Sequence, residues 1–378
     1  MKDHFNTHNT IIQATMMSRE KRKNVLKGII SILATLILFA FSLELMVKSF
    51  SVVEGKATDL MVENNFGPFV GLFVGLLGTA ILQSSSTVTS AVVAVVAAGS
   101  ISFADAVPMI LGANIGTTLT STLVSLGFIS DRKSFQRAIS AASMHDLFNI
   151  LTVIMVLPLE YFFQTYTTTA QYIAAFIPII ELDNVFFLKW LSIEPLVYWL
   201  INVIDNGPIT IIFSMVLLFA SIKLLAKIIY RYLDAELKNT FQSFFKTEWK
   251  SFGTGTVLTL LVQSSSLTTS LIVPLAATKK VGLSRVFPYI LGCNLGTTIT
   301  ALMVGLFLSP TALAMGLVHF LFNLTGVIIF MPIKAFRHFA VNMAIWLGKM
   351  TVKYRAAGLL YLIITFFIAP FLLIYFNQ

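Results

Sequence analysis

The sequence predicts an all-α polytopic membrane protein built from two inverted-topology repeats, each with a re-entrant helical hairpin and a broken transmembrane helix. Composition, a duplicated polar motif and the distribution of charge carry that prediction. Of 378 residues, 57% are hydrophobic and only 11% charged, where a soluble domain carries roughly 25% charged residues. No soluble fold of this length buries so much apolar surface, which excludes a soluble enzyme, a disordered chain and a nucleic-acid binder. The apolar residues run in long blocks, so a membrane β-barrel, with its ~10-residue segments of alternating polarity, is excluded as well.

The duplication is read by placing residue n over residue n+180. Gln83–Thr120 then aligns with Gln263–Thr300 without a gap, and 17 of 38 positions are identical. QSSS at 83–86 matches QSSS at 263–266, Pro108 matches Pro288, and LGANIGTT at 111–118 matches LGCNLGTT at 291–298. With the offset shortened to 174, HDLFN at 145–149 matches HFLFN at 319–323, and Pro158 matches Pro332.

Charge gives the two copies their relative sense. Of 26 Lys and Arg, 23 fall in segments 1–27, 130–137, 223–250, 279–285 and 334–355, while segments 51–65 and 160–206 hold eight acids. Basic loops mark the cytoplasmic side of a bilayer, so the net charge of +9 reports topology rather than a nucleic-acid partner. The span before the first QSSS runs from the basic arm to acidic 51–65. Its counterpart before the second QSSS runs from acidic 160–206 to basic 223–250, so the halves are inverted. Asp105, expected outside, aligns with Arg285, expected inside. Inverted repeats are a common plan of secondary transporters, with substrate and ions bound where the halves meet near the midplane.

In chain order, residues 1–27 form a basic cytoplasmic arm and 28–160 the first repeat. Its first span, 28–50, is too long for a signal-peptide core and has no small-residue cleavage site. Around the first QSSS, the apolar stretches 69–82 and 87–98 are each about a dozen residues, too short to cross a bilayer core that needs ~20. They predict a re-entrant hairpin with a polar tip, and 254–262 with 267–277 repeat it. Full spans are expected at 104–129 and 138–158, and at 286–308 and 312–333. Residues 161–207 are an extracytoplasmic or linker segment and 208–335 the second repeat. Residues 336–378 hold an interfacial helix, about 336–350, and a final span at 356–376. The N-terminus is expected in the cytoplasm and the C-terminus outside, in a multi-pass protein of the cytoplasmic membrane.

The motifs suit an anion held without basic residues. Gln83, Ser84, Ser85 and Ser86, with Gln263, Ser264, Ser265 and Ser266, place hydroxyls, amides and free N–H groups at helix N-termini, where the dipole favours a tetrahedral oxyanion. A divalent anion there requires accompanying cations. Sodium suits the oxygen ligands available: Gln83, Asn114, Thr117, Thr118, Gln263, Asn294, Thr297 and Thr298. The glycines around Asn114 and Asn294 are expected to break the helix and expose carbonyls to an ion, with close packing through small residues as the alternative. Asp146 is the one acid well inside a span of the repeats, a candidate cation partner by default; its repeat counterpart is Phe320. His145 and His319 read as helix-packing histidines, and Asn149 and Asn323 as structural support. There is no nucleotide-binding loop, HExxH or GxSxG, and Cys293 is the sole cysteine. ATP-driven transport, transition-metal sites, nucleotide or nucleic-acid partners and hydrolase chemistry therefore find no motif, and no cofactor is expected.

The paired QSSS elements, LGANIGTT and LGCNLGTT, HDLFN and HFLFN, PLE at 158–160 and LGKMTVKYR at 347–355 closely resemble the type II sodium-dependent phosphate cotransporter family. The resemblance implies sodium-coupled import of inorganic phosphate, mainly the divalent form, into the cell. It places substrate and sodium groups on Gln83–Ser86 and Gln263–Ser266, with Thr268, Thr269 and Ser270 as further sodium candidates. An Asp in the HDxFN element, here Asp146, goes with electrogenic coupling, and Ala142 conforms to that pattern. The chain lacks the family's long glycosylated, disulfide-bonded loop between halves and its second C-terminal span, which implies a bacterial member. Alternatives are a sodium-coupled transporter of another oxyanion such as sulfate or arsenate, a non-transporting phosphate sensor, and an intramembrane serine hydrolase using His145 or His319.

Overall fold

The computed structural model describes residues 67–180, 193–214, 244–354 and 363–376, with scattered positions between 27 and 49 and between 216 and 224, and residue 360. Nearly all of the basic arm, eight positions of the expected first span at 28–50 and about half of that at 208–230 lie outside the described residues. All regular structure among the described residues is helical. Chains without water around their backbone must pair every N–H and C=O within the segment, which these sequences do.

Helices α1 (Pro68–Leu82) and α2 (Ser85–Ala97) form the first hairpin. They are followed by α3 (Phe103–Gly116), α4 (Leu119–Leu126) and the long α5 (Arg132–Phe163). Between the repeats stand α6 (Thr165–Ala174) and α7 (Ile193–Ile204), so the linker segment carries helices of its own. The second hairpin is α8 (Glu248–Val262) and α9 (Ser265–Ala277), followed by α10 (Leu283–Leu308) and α11 (Pro310–Phe330). Helix α12 (Lys334–Lys353) comes next, and a π-helical turn, Ile364–Ile368, leads into α13 (Ala369–Phe376). Among the described residues, four helices are long and apolar enough to cross a membrane: Phe103–Leu126, Arg132–Phe163, Leu283–Leu308 and Pro310–Phe330.

Local chemistry sets the helix ends. Ser102, Asp131, Thr247 and Ser309 each accept a hydrogen bond from the backbone N–H three residues on, satisfying a donor that a helix start leaves free. The Ser134 side chain and N–H hold the exposed Asp131 carboxyl below the usual carboxylate range. Pro68 and Pro310 occupy first-turn positions, where the missing N–H costs nothing.

The two halves reproduce one packing arrangement. In the first, α1 crosses α3 so closely that a Cβ on Gly112 would stand 1.7 Å from the Leu72 carbonyl oxygen, and one on Gly75 2.0 Å from that of Met109. In the second, the same contacts recur between α8 and α10: Gly292 to Phe252 at 2.0 Å and Gly255 to Tyr289 at 2.1 Å. Only glycine permits backbone to lie on backbone in this way.

The expected broken helix is absent from the second copy and reduced to a two-residue interruption, Thr117–Thr118, in the first. Helix α10 runs unbroken through Gly292–Thr298. In the first copy, Thr117 and Thr118 keep right-handed helical angles, and the turn merely tightens as Thr118 N–H bonds the Ile115 carbonyl. The glycines serve close packing rather than carbonyl exposure, the alternative their spacing allowed.

Each half packs with a helix of the other. One core joins α1, α2 and α3 to α11 through residues such as Leu76, Ile110, Val318 and Phe322. The second joins α9 and α10 to α5 and α12 through Met144, Phe148, Phe287 and Ala344. Phe148, Phe287 and Phe330 form an edge-to-face trio with centroids 5.9–6.4 Å apart.

Candidate functional site

Both hairpins turn on glutamine. Gln83 has φ 55° and Gln263 φ 52°, the left-handed region that costs a non-glycine residue on the order of 1 kcal/mol. Their N–H groups close the first limbs onto Thr79 and Thr259 at 2.8 and 2.6 Å. The next residue reverses into extended backbone, and its hydroxyl caps the second limb: Ser84 accepts from Thr87 N–H, and Ser264 from Leu267 N–H. Ser84 and Ser264 therefore shape the tips. The N–H groups of the following serines have no intrahelical acceptor, as in any first helical turn.

The tips meet. Ser85 Oγ and Ser265 Oγ, at matching repeat positions, lie 3.4 Å apart. Ser86 reaches across to the second half, donating to the Gln263 carbonyl at 3.4 Å and standing 3.2 Å from Thr297 Oγ1. Ser85, Ser86, Ser265 and Ser266 are all buried. Two helix N-termini thus converge on one hydroxyl-rich spot, with their dipoles' positive ends toward it. Neither QSSS element carries a cationic side chain.

The glutamines differ. Gln83 donates to the Ala80 carbonyl at 2.5 Å and accepts from Thr120 Oγ1 at 2.8 Å. Thr300, the counterpart of Thr120, has a buried hydroxyl without a partner. Thr120 escaped the sequence reading although its signal was present, since Thr120 and Thr300 are the last identity in the repeat alignment.

The other sodium candidates separate into groups. Thr269 accepts from Ser121 at 3.2 Å, which links α9 to α4. Thr268 is absorbed inside the second hairpin, 2.7 Å from Thr259 Oγ1, and its carbonyl accepts from Tyr289 OH. Thr117, Thr118, Thr298 and Ser270 give their hydroxyls to backbone carbonyls of their own helices. Asp146 is 1% exposed, with neither carboxylate oxygen hydrogen-bonded. Thr118 and Thr122 lie beside it, but Thr122 also turns its hydroxyl to a backbone carbonyl. Among the described residues no cluster of His, Cys, Asp and Glu has the makings of a metal site.

Asn114 and Asn294 are drawn into packing between the halves. His145 Nε2 lies 3.2 Å from Asn294 Oδ1, and His319 Nε2 lies 3.2 Å from Asn114 Oδ1. Each Asn amide donates to the carbonyl four residues back, Ile290 or Ile110. Each Oδ1 therefore accepts, and each imidazole is the Nε2–H tautomer. Asn323 adds a donor to Asn114 Oδ1, and Asn149 donates to the Asn114 carbonyl that the tightened turn releases. Both histidines are hydrogen-bonded packing residues, whose partners are Asn294 and Asn114 rather than a tip serine.

Four long apolar helices and two hydroxyl-rich hairpin tips meeting at a buried point define a helical membrane protein of duplicated design. Residues 38–180 and 217–365 match the family described as Na+/Pi-cotransporter. The chain belongs to that family. Its relatives include sodium-dependent phosphate transport protein 2A of Rattus norvegicus, 31% identical across 89% of this chain and 66% of the relative. Sodium-dependent phosphate transport protein 2B of Homo sapiens is 28% identical across 90% of this chain and 64% of the relative. The chain spans less than two thirds of the length of these relatives, which are transport proteins and not enzymes. No solved structure matches.

Proposed function

We propose that the protein is a sodium-coupled symporter that imports inorganic phosphate, mainly as the dianion, by alternating access of a midplane site between the two QSSS tips. The observation that carries this reading is the meeting of two helix N-termini at Ser85 and Ser265, 3.4 Å apart, with hydroxyls on every side and no fixed cation at the tips. Tip N–H groups and the hydroxyls of Ser85, Ser86, Ser265 and Ser266 surround the oxyanion. Because no basic side chain balances it, sodium ions enter with it. Gln263, Thr297 and Thr298 supply oxygens on the second side, and Gln83 and Thr117 on the first.

Asp146 gives the cycle its charge. A buried carboxylate with both oxygens unpartnered is a strong site for a cation, and its counterpart Phe320 leaves the second half without one. An extra sodium there makes transport electrogenic, and each net charge moved gains ~2.3 kcal/mol per 100 mV. Family membership and the names of the relatives support sodium and phosphate as the pair carried.

The test is uptake of labelled phosphate into proteoliposomes under an inward sodium gradient at two clamped potentials. Sodium-dependent uptake that accelerates with a negative interior is expected, and Asp146→Asn abolishes the acceleration. Uptake indifferent to voltage removes the electrogenic claim. Absence of uptake by intact protein, or stronger competition by sulfate than by phosphate, overturns the substrate.

A further inference from the structure

Helix α12 (Lys334–Lys353) has 20 residues but is not among the described helices apolar enough to cross a membrane. At 100° per residue its side chains divide into three stripes. The first, Arg337, Ala340, Ala344 and Gly348, is buried; a Cβ on Gly348 would meet Ser140 Oγ of α5 at 2.2 Å. The second is apolar and open: Phe336, Phe339, Trp346 and Met350 are 49%, 54%, 57% and 38% exposed. They recur at spacings of three, seven and four and lie on one face, beside the buried stripe. The third is cationic and exposed, with Lys334, Lys349 and Lys353. Residues 334–355 contain no acid.

A helix with one face docked on protein, one aromatic face and one cationic face is matched to the boundary between lipid and water. We propose that α12 lies in that boundary and docks on anionic phospholipid headgroups. Phe336, Phe339 and Trp346 seat among the upper acyl chains, and Lys334, Lys349 and Lys353 meet the phosphates. The occupant is anionic lipid because the face unites exposed aromatics with three lysines in a segment that contains no acid. A second copy of this chain offering its own α12 would set cation against cation. By the charge reading of the sequence, the leaflet is the cytoplasmic one, whose surface is negative. The contact bears on the site's neighbourhood, because Arg337 on the same helix holds Glu248, the first residue of α8, at 2.7 Å.

The experiment uses the full chain with Trp190, Trp199 and Trp249 changed to Phe, leaving Trp346 as the single tryptophan, excited selectively over tyrosine. It is reconstituted in equal phosphatidylcholine and phosphatidylglycerol, with one or the other lipid brominated. Brominated phosphatidylglycerol is expected to quench Trp346 with about threefold to tenfold greater relative affinity, and the preference to vanish in ~1 M salt, where exposed charges are screened within ~3 Å. The triple variant Lys334→Gln, Lys349→Gln, Lys353→Gln is expected to lose the preference at low salt. Equal quenching by both lipids, or a preference that survives salt, overturns the proposal. So does absence of quenching by either lipid, the outcome if water or a second protein copy covers the face. No readout depends on transport, so failure here is separate from failure of the phosphate reading.

Discussion

Gln83 and Gln263 sit at equivalent points of a duplicated hairpin, yet only Gln83 has its side-chain amide engaged at both ends, by Ala80 and Thr120. The hydroxyl of Thr300, the repeat counterpart of Thr120, is buried and unpartnered. A carbonyl that loses such a donor forfeits on the order of 1 kcal/mol, which is about a fivefold change in an equilibrium constant. Thr120→Val is therefore expected to raise the apparent KM for phosphate about threefold to tenfold with kcat within twofold, because it loosens a group that orients at the site without touching the steps that move it. Thr120→Ser restores the hydroxyl and the affinity. Uptake kinetics on both variants check this, and an unchanged KM in Thr120→Val defeats it. The residue scale is also where sequence reading reached least. It saw the paired glutamines and serines because they repeat, and Asp146 because an acid in an apolar run is conspicuous. It offered Asn114 and Asn294 as sodium candidates and could not see that their amide oxygens accept from histidines 205 and 149 residues away. Distances in sequence of that size leave no local pattern.

Among elements, the closest relationship is that of each hairpin's first limb to the span that follows it, where glycines lay backbone on backbone. A Cβ on Gly255 would stand 2.1 Å from the Tyr289 carbonyl oxygen, but one on Gly253, in the same helix, meets nothing within 4 Å. The pair forms an internal control. Gly255→Ala forces α8 and α10 apart and is expected to cost about 3 kcal/mol or more, seen as lost folded yield and a large fall in Tm. Gly253→Ala adds helix propensity worth about 1 kcal/mol and is expected to raise Tm slightly. Equal thermal stability of the two variants, measured in detergent, counts against the packing. Element type and order were legible from apolar run length and from the QSSS turns: the spans expected at 286–308 and 312–333 are helices Leu283–Leu308 and Pro310–Phe330. The break expected at Gly292 is absent, since α10 runs through its motif, whereas the first copy is interrupted at Thr117–Thr118, between α3 and α4. Glycine weakens a helix in water by exposing backbone, whereas here the exposed backbone is covered by another helix. That covering is a tertiary fact with no trace in local sequence.

At the scale of the whole molecule, the halves are interlocked. His319 of the second half bonds Asn114 of the first, His145 of the first bonds Asn294 of the second, and the two cores each join helices from both halves. Such an exchange is the arrangement expected of repeats related by a two-fold axis, and the charge pattern predicts an axis in the membrane plane. The predicted inversion has a direct consequence. Ala104 and Ser284 are 180 residues apart, both exposed, just after the hairpins and at the start of matching helices. Inverted repeats put them on opposite faces of the bilayer; parallel repeats put them on the same face. The native Cys293 is buried in the second half where the first has Ala113, so Cys293→Ala supplies a thiol-free background. In it, Ala104→Cys is expected to react with a membrane-impermeant maleimide in right-side-out vesicles. Ser284→Cys is expected to react only after permeabilisation, as the positive charge around it at Lys279, Lys280 and Arg285 marks the inner side. Labelling of both from the same side would mean that the halves run parallel, and the two helix N-termini at Ser85 and Ser265 would then have to meet without a two-fold axis in the membrane plane.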